Sequence, residues 1–280
     1  NAKDNGAIWA IAQGQRAEIG ALAMLNHHYR SGSVANGNTD FNFVTQGGQE
    51  ILFAYQRYTV DTILAGQHFL TLLYQPLTVS TKTVAGRNGT GKVQIDGVLF
   101  PVGTPMNITY GFDFYRLSYL FDFLPEPESI LGLGLSFQLR NASISFDSTD
   151  GSLRAVSQNL GLVPIIKVRA AHRFGPEFGL DFVADGFYAS SAVFNGSGKP
   201  FEGWIWDASL SLETRLIQAV DAFLTVRSIG GGAQGSNAYD AKYATTSVNP
   251  ESYNALATLA VTVGIHLDPI QLIGNIAKEN

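Results

Sequence analysis

The chain has no cysteine, only 15 % charged residues, two methionines, and no long uninterrupted apolar run. The missing cysteine excludes disulfides, thiolate metal sites and cysteine nucleophiles together. The charged share lies well below the roughly 25 % of an ordinary soluble domain. A net charge of −5 gives no electrostatic basis for a nucleic-acid partner. No stretch approaches the ~18 consecutive apolar residues of a membrane-spanning helix. No charged n-region followed by an apolar core opens the chain, which starts at Asn1 and reads as a mature form after signal-peptide removal. What the chain does have is 30 glycines in 280 residues and 11 % aromatics, which argues against disorder. Two homes remain, a large soluble β-sandwich or a β-barrel in a bacterial outer membrane.

Alternation with a period of two over ten or more residues decides the secondary structure. Leu131, Leu133, Leu135, Phe137 and Leu139 alternate with Gly132, Gly134, Ser136, Gln138 and Arg140. Trp204, Trp206, Ala208, Leu210 and Leu212 alternate with Ile205, Asp207, Ser209, Ser211 and Glu213. A third run places Tyr253, Ala255, Ala257, Leu259, Val261, Val263, Ile265 and Leu267 on one face. Similar runs fall at about 17–30, 107–123, 158–173, 177–190 and 221–229, and two of undetermined phase at 49–59 and 67–84, for ten strands within a range of 8–12. The phase slips near Tyr115 and Asn141, which predicts bulges where strands leave the bilayer. Short connections (60–66, 124–128, 174–176, 217–220) alternate with long ones (31–48, 85–106, 147–157, 191–200, 230–252). Short turns on one side and long loops on the other are the outer-membrane arrangement.

None of the eight clearly phased strands puts Lys, Arg, Asp or Glu on its apolar face. The basic residues of the polar faces are Arg30, Arg116, Arg140, Lys167, Arg169, Arg173, Arg215 and Arg227; the acidic ones are Glu18, Asp122, Asp181, Asp185, Asp207, Glu213 and Asp221. A Lys or Arg facing lipid at mid-membrane would cost roughly 2–4 kcal/mol. Sandwich strands are usually about 5–6 residues long and spanning strands about 9–11, so these runs favour the barrel. The expected fold is all-β, a transmembrane antiparallel up-and-down barrel. Residues 17–267 form it, 1–16 make a periplasmic or luminal segment, and 268–280 a tail.

The segments Asp40-Phe41-Asn42-Phe43, Phe112-Asp113-Phe114-Tyr115-Arg116-Leu117-Ser118-Tyr119 and Phe100-Pro101-Val102-Gly103 carry a resemblance. Through them the chain resembles a group of uncharacterised outer-membrane β-barrel proteins of Gram-negative bacteria. The resemblance implies fold and location and assigns no catalytic residue. One departure is the continuation past Leu267 through Asp268-Pro269 to Asn280, where such barrels usually end on an aromatic residue.

Gly86-Arg87-Asn88-Gly89-Thr90-Gly91-Lys92 has phosphate-loop spacing, but Val93 stands where Ser or Thr is needed and no helix pattern follows. It reads as a glycine-rich outer loop, as Gly230-Gly231-Gly232 does. His27 and His28 are adjacent, so on a strand they point opposite ways and cannot share a metal; His28 is expected in the lumen near Arg30. Asp147 and Asp150-Gly151 lack calcium-loop spacing and read as a turn. No cofactor or metal site is assigned.

The luminal charges, eight basic against seven acidic, predict a nearly neutral, largely filled interior, with Arg116, Arg140, Lys167, Arg169, Asp181, Asp185, Asp207, Glu213 and Arg227 as a network. A turn centred on Gly175 sets Arg169 opposite Asp181 and Arg173 opposite Glu177. Tyr29, Trp204, Trp206 and Tyr253 are expected as lipid-facing interface anchors. The leading functional reading is a structural, surface-binding or narrow transport barrel. Its partners would be outer-membrane lipid and possibly another envelope protein or a small ligand. The alternatives are an outer-membrane enzyme acting on lipid or peptide at the rim, with His27, His28, Asp147 and Asp207 as candidates, and a soluble β-rich binding module.

Overall fold

The computed structural model describes residues 11–124, 126–190, 201–235 and 252–269. The expected loop at 191–200, most of that at 230–252, and the tail beyond Pro269 lie outside these residues. The chain begins with β1 (Ile11–Arg30), β2 (Phe41–Asn42), β3 (Leu52–Leu64), β4 (His68–Gln75) and β5 (Thr78–Val84). A small hairpin follows, β6 (Val93–Ile95) and β7 (Val98–Phe100). The remaining strands are β8 (Pro105–Asp122), β9 (Ser129–Ser148), β10 (Arg154–Phe174), β11 (Phe178–Ser190), β12 (Phe201–Ile217), β13 (Val220–Gly235) and β14 (Ser252–Leu267).

All barrel pairings are antiparallel, and β14 pairs with β1 to close the ring in the order β1-β3-β4-β8-β9-β10-β11-β12-β13-β14. That is a ten-strand barrel, in which β5 continues β4 beyond a break at Pro76. Proline has no N–H for the ladder. The break is stitched by Asp113, whose carboxylate accepts the Leu77 N–H at 2.7 Å. The β1 strand begins six residues ahead of the expected boundary, so residues 11–16 are wall rather than a separate segment.

The outward faces are apolar and exposed: Leu131, Leu133, Leu135, Phe137 and Leu139 are 45–61 % accessible, while Arg116 and Asp207 inside are 1 % accessible. From Leu131 to Leu139 the strand advances ~27 Å, or ~20 Å of height at a barrel tilt of ~40°. A soluble sandwich would cover these faces with a second sheet; here the single large sheet closes on itself. At one edge of the apolar belt the Tyr74 ring stacks on Tyr115 at 4.7 Å and on Tyr58 at 6.5 Å. At the short-turn edge stand Phe121, Phe123, Phe174 and Phe178.

The phase slips are not bulges. Pairing of β8 with β9 runs unbroken from Met106↔Ser148 to Asp122↔Gly132. The parity holds, but the surroundings of each face change. Beyond the Tyr115 level the outward residues are Asn107, Thr109, Gly111 and Asp113, and the inward ones are Met106, Ile108, Tyr110 and Phe112. The strands project past the belt, so their outer face meets water while their inner face packs an apolar core.

A true bulge is at Leu25, between Met24 and Asn26 in the β1–β14 pairing. It reverses the parity of the outer end of β1. Tyr29, expected to face lipid, is therefore buried inside at 8 % accessibility, and His27 is fully buried, while His28 and Arg30, expected in the lumen, are only half-buried.

The loop expected at 147–157 shrinks to a turn at 149–153, because β9 and β10 extend to Ser148 and from Arg154. There the Asp150 carboxylate accepts the Ser152 N–H at 3.0 Å and the Ser148 hydroxyl at 2.6 Å, which pulls its pKa down to about 2. The β10–β11 register is offset by two residues from the expected one, with Arg169 opposite Val183 and Arg173 opposite Gly179. Gly230, Gly231 and Gly232 are strand, not loop. A Cβ at Gly230 would collide with the Trp206 ring, and one at Gly232 with that of Trp204. The glycines let both indoles lie flat against the wall.

Two seams divide the outer end. Among the described residues, β3 pairs with β4 only from Tyr58↔Tyr74 to Leu64↔His68, and β5 pairs with β8 alone. Likewise β10 and β11 part above Ile166↔Gly186. The first seam is filled by the segment after β2: the Thr81 hydroxyl donates to the Gly47 carbonyl at 2.6 Å and that of Thr83 to the Gln46 carbonyl.

Candidate functional site

Inward residues alternate along every strand, so polar side chains from across the ring converge within the belt. Asp207 on β12 is the hub. It accepts Arg57 Nη1 from β3, Arg116 Nη1 from β8 and Arg227 Nη1 from β13, each at 2.9 Å. The β3 and β8 strands each stand four places from β12 around the ring of ten, so two of these ion pairs cross the lumen. Asp185 takes Arg116 and the Lys167 ammonium, each at 3.0 Å. Glu18 accepts Arg227 Nη2 at 3.0 Å and the Thr262 hydroxyl at 2.7 Å.

A second group lies on the same strands. Asp181 holds Arg169 at 2.8 Å and Arg16 at 3.0 Å, and Arg16 also pairs with Glu213. Nearer the short turns, Asp221 holds Arg173 at 2.7 Å and Arg215 at 3.2 Å. Taking Arg16, Arg57, Arg116, Lys167, Arg169 and Arg227 against Glu18, Asp61, Asp181, Asp185, Asp207 and Glu213, six cations meet six carboxylates. Removing either partner of such a buried pair is expensive because the survivor stays desolvated.

Above the charges sits an aromatic cap. Phe41 and Phe43, from the connection after β1, fold inward. The Phe43 ring stacks on His27 at 4.0 Å, and Phe41 meets Phe146 edge-on at 5.0 Å. Tyr110 packs its edge on His27 at 4.3 Å. The His27 ring bonds Gln49 Oε1 through Nδ1 at 2.7 Å. The β6–β7 hairpin closes over this core with Val93, Ile95 and Phe100 buried. Its turn uses Asp96 and Gly97 at φ of 49° and 80°, the left-handed pair of a tight hairpin. The Asp96 carboxylate accepts the Tyr29 hydroxyl at 3.3 Å.

Of the residues expected to form the network, Arg116, Lys167, Arg169, Asp181, Asp185, Asp207, Glu213 and Arg227 are joined in these ion pairs. Arg140 is not: no ion pair links it to another described residue. Its guanidinium lies over the Phe112 ring at 5.9 Å, where the charge layer gives way to the cap. Arg173 meets Asp221, since the register offset carries it past Glu177. Trp204 and Trp206 keep the parity of exposed Leu210 and Leu212, with the Trp206 indole N–H on the Ser228 hydroxyl at 3.0 Å. Tyr253 lies opposite Arg30, whose guanidinium stands 5.9 Å from its ring.

Sequence reasoning missed Arg16, Arg57 and Asp61. For Arg57 and Asp61 the signal was available: Tyr55, Arg57, Thr59 and Asp61 alternate with Tyr58, Val60, Thr62 and Leu64, which fixes the phase once the strand is followed past 59. The four residues of the enzyme reading do not come together. His27 is in the cap, Asp207 in the charge layer, and Asp147 pairs with Arg154 at 3.2 Å. His28 bonds Asp40 at 3.1 Å and Asn42 at 3.0 Å, so both ring nitrogens are engaged. The phosphate-loop-like segment leads from a short 3-10 turn into β6, with no helix after it.

No family model matches the sequence, and no curated protein sequence matches it. Among solved structures, the outer membrane protease OmpT from Escherichia coli has a TM-score of 0.55 at 10 % identity, over 92 % of this chain and 96 % of that one. The Pseudomonas putida toluene transporter TodX aligns with a TM-score of 0.29 at 9 % identity, over 92 % and 88 %. The anion-selective porin from Comamonas acidovorans aligns with a TM-score of 0.17 at 8 % identity, over 92 % and 99 %. The likeness to OmpT, at 10 % identity, is one of fold: the chain is built like an outer-membrane β-barrel.

Proposed function

We propose that this protein spans a bacterial outer membrane as a closed barrel, and that it acts through its outer surface in a structural or binding role rather than as an open pore. The reading rests on Asp207, where arginines from three strands meet and two of the ion pairs cross the lumen. An open ion-selective channel would instead line its lumen with a single sign of charge. The exposed apolar belt between two aromatic edges supports the membrane position. Contacts outside the cell would fall to the β6–β7 hairpin and the connections after β1 and β5. The partner classes are outer-membrane lipid, another envelope protein or a small ligand. Trp204, Trp206 and Tyr253 are read as anchors at the headgroup level.

Planar-bilayer recording tests the closed lumen. The expected trace is at baseline, and a large steady current would overturn the reading. The membrane position is tested by extraction and by migration on a denaturing gel. The protein is expected to require detergent and to change mobility on heating, whereas a monodisperse sample in plain buffer would refute it.

A further inference from the structure

We propose that the cavity within the charge layer is a binding site for a single halide-sized anion. The cavity is about 70 Å³, room for such an ion and a few waters. Its lining is unbalanced. Arg16, Arg57, Lys167, Arg169 and Arg227 face it against the carboxylates of Glu18, Asp61 and Asp181. The acids that balance the layer as a whole, Asp185, Asp207 and Glu213, do not line it. The wall is thus cationic on the cavity side and compensated behind.

The hydrogen-bond inventory points the same way. Arginine and lysine bring only donors, and an ionised carboxylate only acceptors. The carboxylates at the cavity already accept from named partners: Asp181 from Arg16 and Arg169, Glu18 from Arg227 and Thr262, Asp61 from Thr71. The Nε atoms of Arg16 and Arg227 also lack a hydrogen-bond partner among the described residues, but they are sealed inside the wall rather than open to the cavity, so an ion there acts on these guanidinium groups through its charge; the Arg227 side chain is only 8 % exposed. Orphaned donors on a buried cation are costly. Water satisfies a donor but brings two hydrogens that need acceptors of their own. A halide accepts from several N–H groups and donates nothing. The site needs no conduction and stands whether or not the barrel passes current.

Crystals of the full chain in detergent, grown with sodium bromide in place of chloride, test it directly. The expected result is an anomalous bromine peak inside the cavity, within hydrogen-bond distance of an Arg16 or Arg227 nitrogen. No peak in the cavity at high bromide overturns the proposal. Thermal unfolding, followed by gel migration in sodium chloride and in sodium gluconate at equal ionic strength, gives a second reading. Chloride is expected to raise the wild-type midpoint by a few degrees and to leave Arg16→Gln unmoved. Arg16 is at the margin of the layer, 17 % exposed, which favours folding of the variant. Equal wild-type midpoints in the two salts, or the same shift in the variant, would each overturn the assignment.

Discussion

The Phe43 ring lies flat on the His27 imidazole, centroids 4.0 Å apart and planes inclined by 13°, while the His27 carbonyl accepts the Phe43 N–H at 2.9 Å. A connection that follows the first strand is thereby fastened to it by ring and backbone together. The bulge at Leu25 makes this possible, because without it the imidazole would point outward. Phe43→Ala removes the stack and a fully buried side chain, an expected loss of about 3–5 kcal/mol. Hydrogen exchange at residues 41–49 should accelerate well beyond that of β9. Unchanged exchange there would show that the cap is held by other contacts.

Burial lowers the pKa of His27 to about 4, and the Gln49 hydrogen bond offsets this only in part. The group lies beyond the outermost lipid-facing residue of its strand, Leu25. Between pH 4 and 6.5 the unfolded chain binds the proton and the folded one does not, so stability rises with pH across that window. The contribution is complete above about 6.5 and is lost as the pH falls toward 4, on the order of 3 kcal/mol in all. Urea midpoints at pH 7.5 and 4.5, compared for wild type and His27→Gln, measure it. A variant with the same pH slope as wild type rules the imidazole out as its source.

Asp207→Asn leaves three guanidinium groups around a neutral amide. Breaking one member of a buried ionic cluster costs about 3–5 kcal/mol, so the urea midpoint of the refolded barrel should fall sharply. A variant as stable as the wild type would mean that water already screens the cluster.

The reversal of faces along β9 makes a paired test. Leu135→Arg puts a cation against lipid and should cost about 2–4 kcal/mol. Ser145→Arg, on the same outward parity but beyond the belt, should fall within about 0.5 kcal/mol of wild type. Equal losses at the two sites would refute the placement of the belt edge between them.

Gly232→Leu drives a side chain against both the Trp204 ring and the Asn254 carbonyl of the neighbouring strand. The indole should swing off the wall and its emission should shift toward the red, with a lowered folding yield. An unchanged spectrum would mean that the ring has a second resting place.

Much of this was legible before any coordinates. The run from Leu131 to Leu139 and that from Leu259 to Leu267 announce their lipid-facing parity residue by residue. That Arg116, Asp185 and Asp207 face inward follows from parity alone; which partners they meet across the lumen does not. What parity cannot convey is which environment a face meets at a given height. The polar outward residues of β8 past Tyr115 therefore read as a slipped phase when nothing had slipped. The bulge at Leu25 left no trace, since Leu25-Asn26-His27-His28-Tyr29 fits either parity equally well. The burial of Phe41 and Phe43 was hidden for another reason: Tyr110 and Phe146, which receive them, are remote in the chain. Arg169 found Asp181 despite the two-residue error in register, because long side chains reach diagonally across a strand pair.

The seams beside β5 and above Ile166↔Gly186 give the molecule two regimes of change. Where ten strands are laced edge to edge, an insertion or a frayed bond disturbs its neighbours on both sides. Past the seams the strands that border them keep a ladder on one side only, so this part can lengthen, lose a hairpin or acquire new chemistry while the cylinder below keeps its shape. Variation among descendants of this chain is therefore expected to gather past the seams and to spare the laced part.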